Sequence, residues 1–548
     1  MRIVIVGGVA GGMSAATRLR RLNEMAEIVV LEKGPYVSFA NCGLPYYISR
    51  EIPNREDLIV QRPEVLNTRY QLDIRVKSEV IKINKEDKTV VIQDENNTYD
   101  LAYDALILSP GAKAIIPNIK GIHEFNHIFS VRNIPDIDAI DNYIKNNEVK
   151  NALVVGGGFI GVEMAESLHN KGLKVSLVEM ADQILPPLDK EMAVHAQDEL
   201  IHQGINVITS KAASEFKEKT VVLDDGREIN ADLVILSIGV QPENKLAKDA
   251  GLELGIKGSI KVDANYQTSD PNIYAVGDAI AVKHSITNED VLIALASPAN
   301  RQGRQVADII SGIERSNKGS LGTSIVRVFN QAFASTGLNQ KQLDALNYDY
   351  ETVHVTSTHH VSYFPNAMPM TFKLLFNKDT GVIYGAQGFG YEGVDKRIDV
   401  LATSIKAKLT IDDLPELELS YAPPYGAAKD MINLLGYAAL NIKENLSDSI
   451  QWSELDDELE KGAFLLDVRD GVSHNQGHIK GSHNIPLHFL RCRLHELPYD
   501  QTIITSCASG QLSYAAERIL KQSGLKVKNL DGGLRIYGKM KPENLGKK

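Results

Sequence analysis

Cys42 stands in Ser38-Phe39-Ala40-Asn41-Cys42-Gly43-Leu44-Pro45-Tyr46-Tyr47, where the pattern predicts the start of a helix. A thiol there meets the positive end of the peptide dipoles, which favours its thiolate. The chain has three cysteines, Cys42, Cys492 and Cys507, and none lies two to five residues from Cys42. A redox-active Cys42 therefore needs a mate from elsewhere: a small thiol, a persulfide sulfur or an oxygen atom. The opposing reading is a small core residue, as most free cysteines are. Cys507 opens a second loop, Cys507-Ala508-Ser509-Gly510-Gln511-Leu512-Ser513, between an expected strand, Thr502 to Ser506, and a helix. Such a loop points backbone N–H groups at the sulfur and steadies a thiolate or persulfide anion. Cys492, in Leu490-Arg491-Cys492-Arg493-Leu494, has a helical surface pattern and is taken as incidental.

Two stretches upstream and downstream of Cys42 have the spacing of nucleotide cradles. Arg2 to Val6 predicts a buried strand, followed by Gly7-Gly8-Val9-Ala10-Gly11-Gly12, a helix from about Met13 to Asn23, and a strand Glu27 to Leu31 ending at Glu32. Glycines let the backbone approach a pyrophosphate at a helix N-terminus, and the acid accepts ribose hydroxyls. Val9 replaces the usual middle glycine. Asn151 to Val155, Gly156-Gly157-Gly158-Phe159-Ile160-Gly161, a helix Val162 to Lys171, and Lys174 to Val178 ending at Glu179 give the complete pattern. Glu179 repels a 2′-phosphate, and Met180, Ala181 and Asp182 bring no cation, so NADH is expected over NADPH. Glu163 is placed to face a nicotinamide and a flavin; the bland alternative is an exposed first-turn acid. Two further stretches suit FAD at the first cradle. Asp104 to Ala112 carries Ser109 and Gly111 at a strand end, and Ile273 to Ala279 carries Gly277 and Asp278. Two nested folds of this kind imply hydride passing from nicotinamide to flavin. On the first glycine helix, Ser14, Arg18 and Arg21 form one polar stripe. By pattern alone that stripe is a solvated face; near Cys42 it would suit a phosphorylated thiol.

These elements need several domains, which 548 residues supply. A net charge of −11 argues against nucleic acid as partner. Three cysteines suit a reducing, cytoplasmic setting. Ile3 to Val6 is too short for a secretory leader, and no apolar run reaches the ~18 residues of a membrane span. The expected architecture is α/β. A FAD domain covers 1–118 and 243–318, an NAD(P)H domain 119–242 and an α+β interface domain 319–443. A polar linker, 444–450, joins them to a C-terminal α/β domain, 451–548. Thr371 to Phe376 and Val382 to Gln387 predict a hairpin, and Asp395 to Ala407 a helix. Tyr363 and Tyr421 are phenols able to hydrogen-bond a reacting sulfur, although tyrosines in such domains are more often packing. No metal site is expected.

Residues 1 to about 443 resemble the coenzyme A-disulfide reductase branch of the single-cysteine flavin disulfide reductases. Val6 to Gly12, Ser38 to Tyr47, Tyr363 with Pro365, and Tyr421 to Lys429 carry the likeness. It implies a homodimer in which Cys42 is the redox nucleophile and the phenols come from the other subunit. It implies coenzyme A contacts at Ser14, Arg18, Arg21, Ser38, Asn41, Tyr421, Tyr425 and Lys429. It implies FAD and NAD(P)H contacts at Lys33, Asn41, Val80, Arg132, Gly239, Pro298 and Ala299 besides the two glycine motifs. A lysine that the family places near Tyr70 is absent, with Arg69 adjacent, and Asn300 stands where some members have histidine. The related NADH oxidases and peroxidases carry a histidine in the first glycine turn. Ala10 stands there, which argues against peroxide as the main substrate. The C-terminal module resembles a rhodanese domain over its full length, through Phe464 to Arg469, Gly477 to Pro486, the Cys507 loop and Leu530-Asp531-Gly532-Gly533. Leu512 replaces an arginine common in that loop, so a thiol-bound persulfide fits better than thiosulfate. The combined expectation is NADH-dependent reduction of coenzyme A persulfide, polysulfide or coenzyme A disulfide, with Cys507 carrying sulfane sulfur. The alternatives are an NADH oxidase or peroxidase with an attached rhodanese domain, and a non-enzymatic redox sensor or sulfur carrier.

Overall fold

The computed structural model describes residues 1–125 and 127–547, so Asn126 and Lys548, the end of the expected C-terminal domain, lie outside the described residues. The chain forms two compact units, Met1–Asp182 with Gln203–Gly322, and Gln183–His202 with Thr323–Lys548.

Two five-stranded sheets frame the first unit. One orders Ile273–Ala275, Ala105–Leu108, Arg2–Val6, Glu27–Leu31 and Asp73–Arg75, all parallel. The other orders Asn206–Ile208, Lys174–Val178, Asn151–Val155, Leu233–Leu236 and Ile128–Phe129, again all parallel. Ile3, Val4, Ile5, Leu153 and Val154 are buried, as strands covered on both faces must be. In each sheet the glycine-bearing strand lies in the middle, where the chain's direction of winding reverses. Dinucleotides bind beyond the carboxyl ends of the strands at such a reversal, and each glycine turn follows the carboxyl end of its middle strand. The helices that follow run Ala10–Leu22 and Phe159–Asn170. Both begin earlier than the expected Met13 and Val162, because no side chain crowds the strand-to-helix corner and the helix can start inside the glycine turn.

In the second unit an antiparallel sheet orders Ser324–Val328, Gln331–Gly337, Ile383–Gly390, Pro369–Phe376 and Glu351–Thr358. It includes the expected hairpin. Helices Val394–Lys406 and Met431–Lys443 belong to the same unit. So does Lys190–His202, whose His195 ring stacks on Phe389 with centroids 4.1 Å apart. A parallel sheet of Ser449–Ile450, Val527–Leu530, Ile503–Ser506, Phe464–Asp467 and His483–Asn484 forms the C-terminal module. The stretch 444–450, expected as a linker, is partly built into this module. Ser449–Ile450 is its edge strand, and Ser447 Oγ and the Asp448 N–H both donate to Glu517 at 2.6 Å. A buried carboxylate needs such donors, and only residues close in the fold can supply them.

Candidate active site

The two glycine cradles share the geometry of their first and last glycines and of their acids. Gly7 and Gly156 adopt φ +99° and +108°, left-handed values that favour glycine. A Cβ on Gly7 would lie 2.1 Å from the Ser109 carbonyl oxygen, and one on Gly156 2.4 Å from that of Ser237. Cβ atoms on Gly12 and Gly161 would each meet the carbonyl of the turn's first glycine at 1.9 Å. The acids are held identically. Glu32 accepts the Gly8 and Gly34 N–H groups at 2.9 and 2.8 Å, and Glu179 those of Gly157 and Ala181 at 2.6 and 2.8 Å. Gly158 differs from these neighbours in that nothing lies within 4 Å of its Cβ position. No protein atom demands glycine there, which fits a backbone bared for a pyrophosphate. In the first cradle a Cβ on Gly11 would lie 2.9 Å from Ser109 Oγ and 3.4 Å from the Ala299 carbonyl, and one on Gly277 3.8 Å from Ser109 Oγ. Gly11, Ser109, Gly277 and Ala299 therefore line one small-residue seam, with Pro298 beside Ala299 on helix Ala296–Ile310. The residues present fit a dinucleotide in each fold.

The other expected contacts scatter more. Arg132 donates to the Pro110 carbonyl at 3.0 Å, and its own carbonyl accepts from Asn41 Nδ2 at 3.3 Å, so these two and the Gly111 turn lie together. Lys33 is exposed, and Val80 is buried in the core of strand Glu79–Asn84. Gly239 has φ +114° beyond the Leu233–Leu236 strand. Phe159 and Ile160 open the second glycine helix, with Ile160 exposed. Ala10 is half-buried at the start of the first.

Cys42 lies in a single 3₁₀ turn, Asn41–Gly43, that leads into helix Leu44–Ile48, and its thiol is exposed. Neighbouring protein atoms still strip away part of its water. That desolvation, then the carboxylates of Glu163 and Asp278, push the thiol up, outweighing its own backbone N–H. The expectation that a helix start would favour the thiolate is thus corrected: burial first, and then two carboxylates, outweigh what the turn's backbone N–H supplies. Burial also raises Asp278, against the pull of Arg132. Glu163 is not the exposed first-turn acid of the bland alternative: it lies half-buried one turn into the helix, and the Tyr46 hydroxyl donates to its Oε1 at 2.9 Å. Cys42 therefore feels one carboxylate from each nucleotide fold.

Ser38, at φ +47°, donates its backbone N–H to the Gly8 carbonyl at 2.8 Å, tying the Cys42 loop to the first glycine turn. Ser14 Oγ donates to Asn300 Oδ1 at 2.6 Å. Arg18 Nε binds the buried Asp308 at 2.6 Å, and Arg315 binds the other oxygen at 3.0 Å. Against the cost of burial, these two cations hold the Asp308 carboxyl below its ordinary range. Arg21 is exposed. In the second unit Tyr363, Tyr421, Tyr425 and Lys429 are all exposed, and the Tyr363 and Tyr421 hydroxyls lie 3.1 Å apart. That shared hydrogen bond raises the Tyr363 phenol.

Cys507 is 1% exposed. Its sulfur accepts the Gly510 N–H at 3.2 Å and the Ser513 hydroxyl at 3.3 Å, so the expected donors are there, one of them a side chain. Cys492 follows a short helix, Leu487–Leu490, in an exposed turn. Sequence reasoning missed Tyr46, Ser237, Asp308 and Gln302, whose Oε1 accepts the Gly277 N–H at 2.7 Å. Ser237 alone had a signal, since it closes a buried strand as Ser109 does. Among the described residues no cluster of His, Cys, Asp and Glu suits a metal ion, and no helix is long and apolar enough to cross a membrane.

Residues 1–303 match the family model described as pyridine nucleotide-disulphide oxidoreductase, residues 323–431 that family's dimerisation domain, and residues 451–538 a rhodanese-like domain. The coenzyme A disulfide reductase of Staphylococcus epidermidis is 38% identical over 441 residues, covering 80% of this chain and 99% of its own. The reduced CoADR-RHD of Bacillus anthracis superposes with a TM-score of 0.98 at 53% identity, covering 99% of each chain. An NAD-dependent persulfide reductase from A. fulgidus gives 0.93 at 35% identity, covering 98% of this chain and 100% of its own. The water-forming NADH oxidase of Lactobacillus brevis gives 0.78 at 25%, covering 81% of this chain and 99% of its own.

Proposed function

The chain belongs to the pyridine nucleotide-disulphide oxidoreductases, and from that premise we propose that it reduces coenzyme A persulfide, related persulfides and coenzyme A disulfide at the expense of NADH. One observation carries this reading. A lone, exposed thiol sits on a loop that Ser38 ties to the first glycine turn, and the helix after it is tied by Tyr46 to Glu163 of the second glycine helix.

Bound in the two cradles, NADH and FAD supply the electron pair. Gly7, Gly8, Gly11, Gly12, Glu32, Ser109, Gly277 and Asp278 would hold the flavin nucleotide, and Gly156, Gly158, Gly161 and Glu179 the pyridine nucleotide. Cys42 does the sulfur chemistry. Its thiolate attacks the carbon-bound sulfur of the persulfide, a Cys42–coenzyme A disulfide forms, and the outer sulfur leaves as hydrosulfide. Two electrons then break that disulfide, restoring the Cys42 thiolate and freeing coenzyme A. The sum is NADH, one proton and the persulfide giving NAD⁺, coenzyme A and hydrogen sulfide. Coenzyme A disulfide enters by the same attack with coenzyme A as leaving group. We assign Ser14, Arg18, Arg21 and Lys429 to the anionic substrate, and the phenols of Tyr363 and Tyr421, from a second copy of the chain, to hydrogen-bonding the leaving sulfur. Cys507 takes up sulfane sulfur as a persulfide held by Gly510 and Ser513.

Steady-state NADH oxidation tests this with coenzyme A persulfide, coenzyme A disulfide and hydrogen peroxide. The sulfur substrates should turn over faster than peroxide, and Cys42→Ser should abolish that turnover. Peroxide outrunning both, or an active Cys42→Ser, would refute the proposal.

A further inference from the structure

The Cys507 loop is seated on a segment that is itself clamped to the antiparallel sheet of the second unit. Leu534 and Arg535 donate their N–H groups to the Cys507 and Ala508 carbonyls, both at 2.9 Å. A Cβ on Gly533 would lie 2.5 Å from the Cys507 carbonyl, so this segment and the loop are in tight contact. Asp531, two residues before Gly533, is buried. Its two carboxylate oxygens accept the His354 backbone N–H at 3.0 and 3.1 Å, and Oδ2 lies 2.7 Å from His354 Nδ1. His354 belongs to strand Glu351–Thr358 and is buried too. On its other side Nε2 faces Glu191 Oε1 at 3.4 Å. Lys373 binds Glu191 and, at 2.8 Å, Asp189. His195 is near enough to feel the ring's charge, and its own burial keeps it neutral. Nothing in the flavin chemistry uses this buried array.

We propose that His354 and Asp531 are positioning residues for sulfur transfer at Cys507, fixing the seat of the loop that carries the thiol. This rests on the reading of Cys507 as a sulfur carrier. A carboxylate on either side, Asp531 in hydrogen-bond contact and Glu191 at ion-pair distance, favours the imidazolium form of the ring. Against burial, which disfavours the charge, Asp531 and then Glu191 carry His354 up to about 9, opposed by Lys373. The clamp is therefore a charge-assisted one at neutral pH and weakens above that value.

The full-length holoenzyme tests it in a Cys492→Ser background. Cys507 labelling by iodoacetamide is followed by peptide mass spectrometry, sulfur transfer as thiocyanate formed from glutathione persulfide and cyanide, and the flavin site by NADH-dependent coenzyme A disulfide reduction. Asp531→Asn should label Cys507 at least about tenfold faster at pH 7 and cut sulfur-transfer kcat/KM by a similar factor. It should leave disulfide reduction within twofold. The labelling ratio of variant to parent should fall towards one by pH 10, where the parent's ring is neutral; a role in packing alone would keep that ratio constant. If Asp531→Asn fails to fold, His354→Gln carries the same expectations. Equal labelling of variant and parent at every pH overturns this proposal alone. A parent Cys507 that takes up no sulfane sulfur overturns the carrier reading and this proposal with it.

Discussion

Tyr46 donates its phenolic hydrogen to Glu163 Oε1 across 2.9 Å, joining the helix that follows Cys42 to the second glycine helix one turn beyond its start. The carboxylate so held raises the Cys42 thiol, after burial and ahead of Asp278. Removing its charge reverses one of those pushes. Glu163→Gln should therefore ionise Cys42 at lower pH and speed its alkylation at pH 7. The pH dependence of iodoacetamide labelling at the Cys42 peptide checks this, and a midpoint that stays put or moves upward would show that Glu163 does not act on the thiol.

The chemistry at Cys42 should be separable from that at Cys507. Cys42→Ser should cost about 10⁴-fold or more in coenzyme A disulfide reduction, as loss of a nucleophile does. Cys507→Ser should leave that reaction within twofold and abolish sulfur transfer. Ser513→Ala removes one of the two hydrogen bonds on the Cys507 sulfur and should weaken transfer without ending it. Paired rate measurements on the three variants decide the matter. Loss of both activities in Cys507→Ser would mean that one reaction feeds through the other.

Glu179 repeats at the second cradle what Glu32 does at the first, both oxygens engaged by turn amides. Its charge also stands against a 2′-phosphate. Glu179→Ala should lower the NADH over NADPH ratio of kcat/KM by about 10–100-fold, the worth of one hydrogen bond to a charged group. The ratio is the quantity to measure, because losing the two amide partners weakens the turn for either nucleotide alike.

The cradles were legible because their logic is local. Glycine, helix and acid recur at fixed offsets in Gly7 to Glu32 and Gly156 to Glu179, and the structure places each where the spacing implies. What escaped was long-range. Asp308 takes Arg18 from the far end of the chain, so the stripe read as a solvated face or a ligand site is anchored by an ion pair. The carboxylates that, after burial, raise Cys42 come from a helix of one nucleotide fold and a turn of the other, and no window around Cys42 contains them. Asp531 belonged to a recognised Leu-Asp-Gly-Gly motif, yet its partner on strand Glu351–Thr358 could not be guessed from either stretch.

The Tyr363 and Tyr421 hydroxyls, 3.1 Å apart, share one hydrogen bond. One phenol can then substitute in part for the other. Each single Phe variant should lose less activity than half the logarithmic loss of the double variant. For the pair that loss is about 10²–10⁴-fold in kcat, the range for removing a proton donor. A double-mutant cycle on coenzyme A disulfide reduction measures this; strictly additive effects would mean that the phenols act independently.

Stability should carry the mark of the same buried array that seats the Cys507 loop. The folded pKa of His354, about 9, stands above its ordinary 6.5. A group raised on folding stabilises fully below its unfolded value and ceases to do so as pH rises through its folded one. The His354 contribution is therefore complete below about pH 6.5 and lost by about pH 9 to 10. Trp452 is the chain's one tryptophan and packs against the core of the C-terminal module, so its fluorescence reports that module's unfolding. His354→Gln leaves the buried Asp531 without its cation, while Lys373 still holds Glu191; the loss is about 3 kcal/mol or more at pH 6. Urea transitions at pH 6, 7.5 and 9.5 should show the gap between variant and parent narrowing steadily. A gap that stays constant with pH would mean that the ring is neutral in the folded protein and that Asp531 holds it by hydrogen bonds alone.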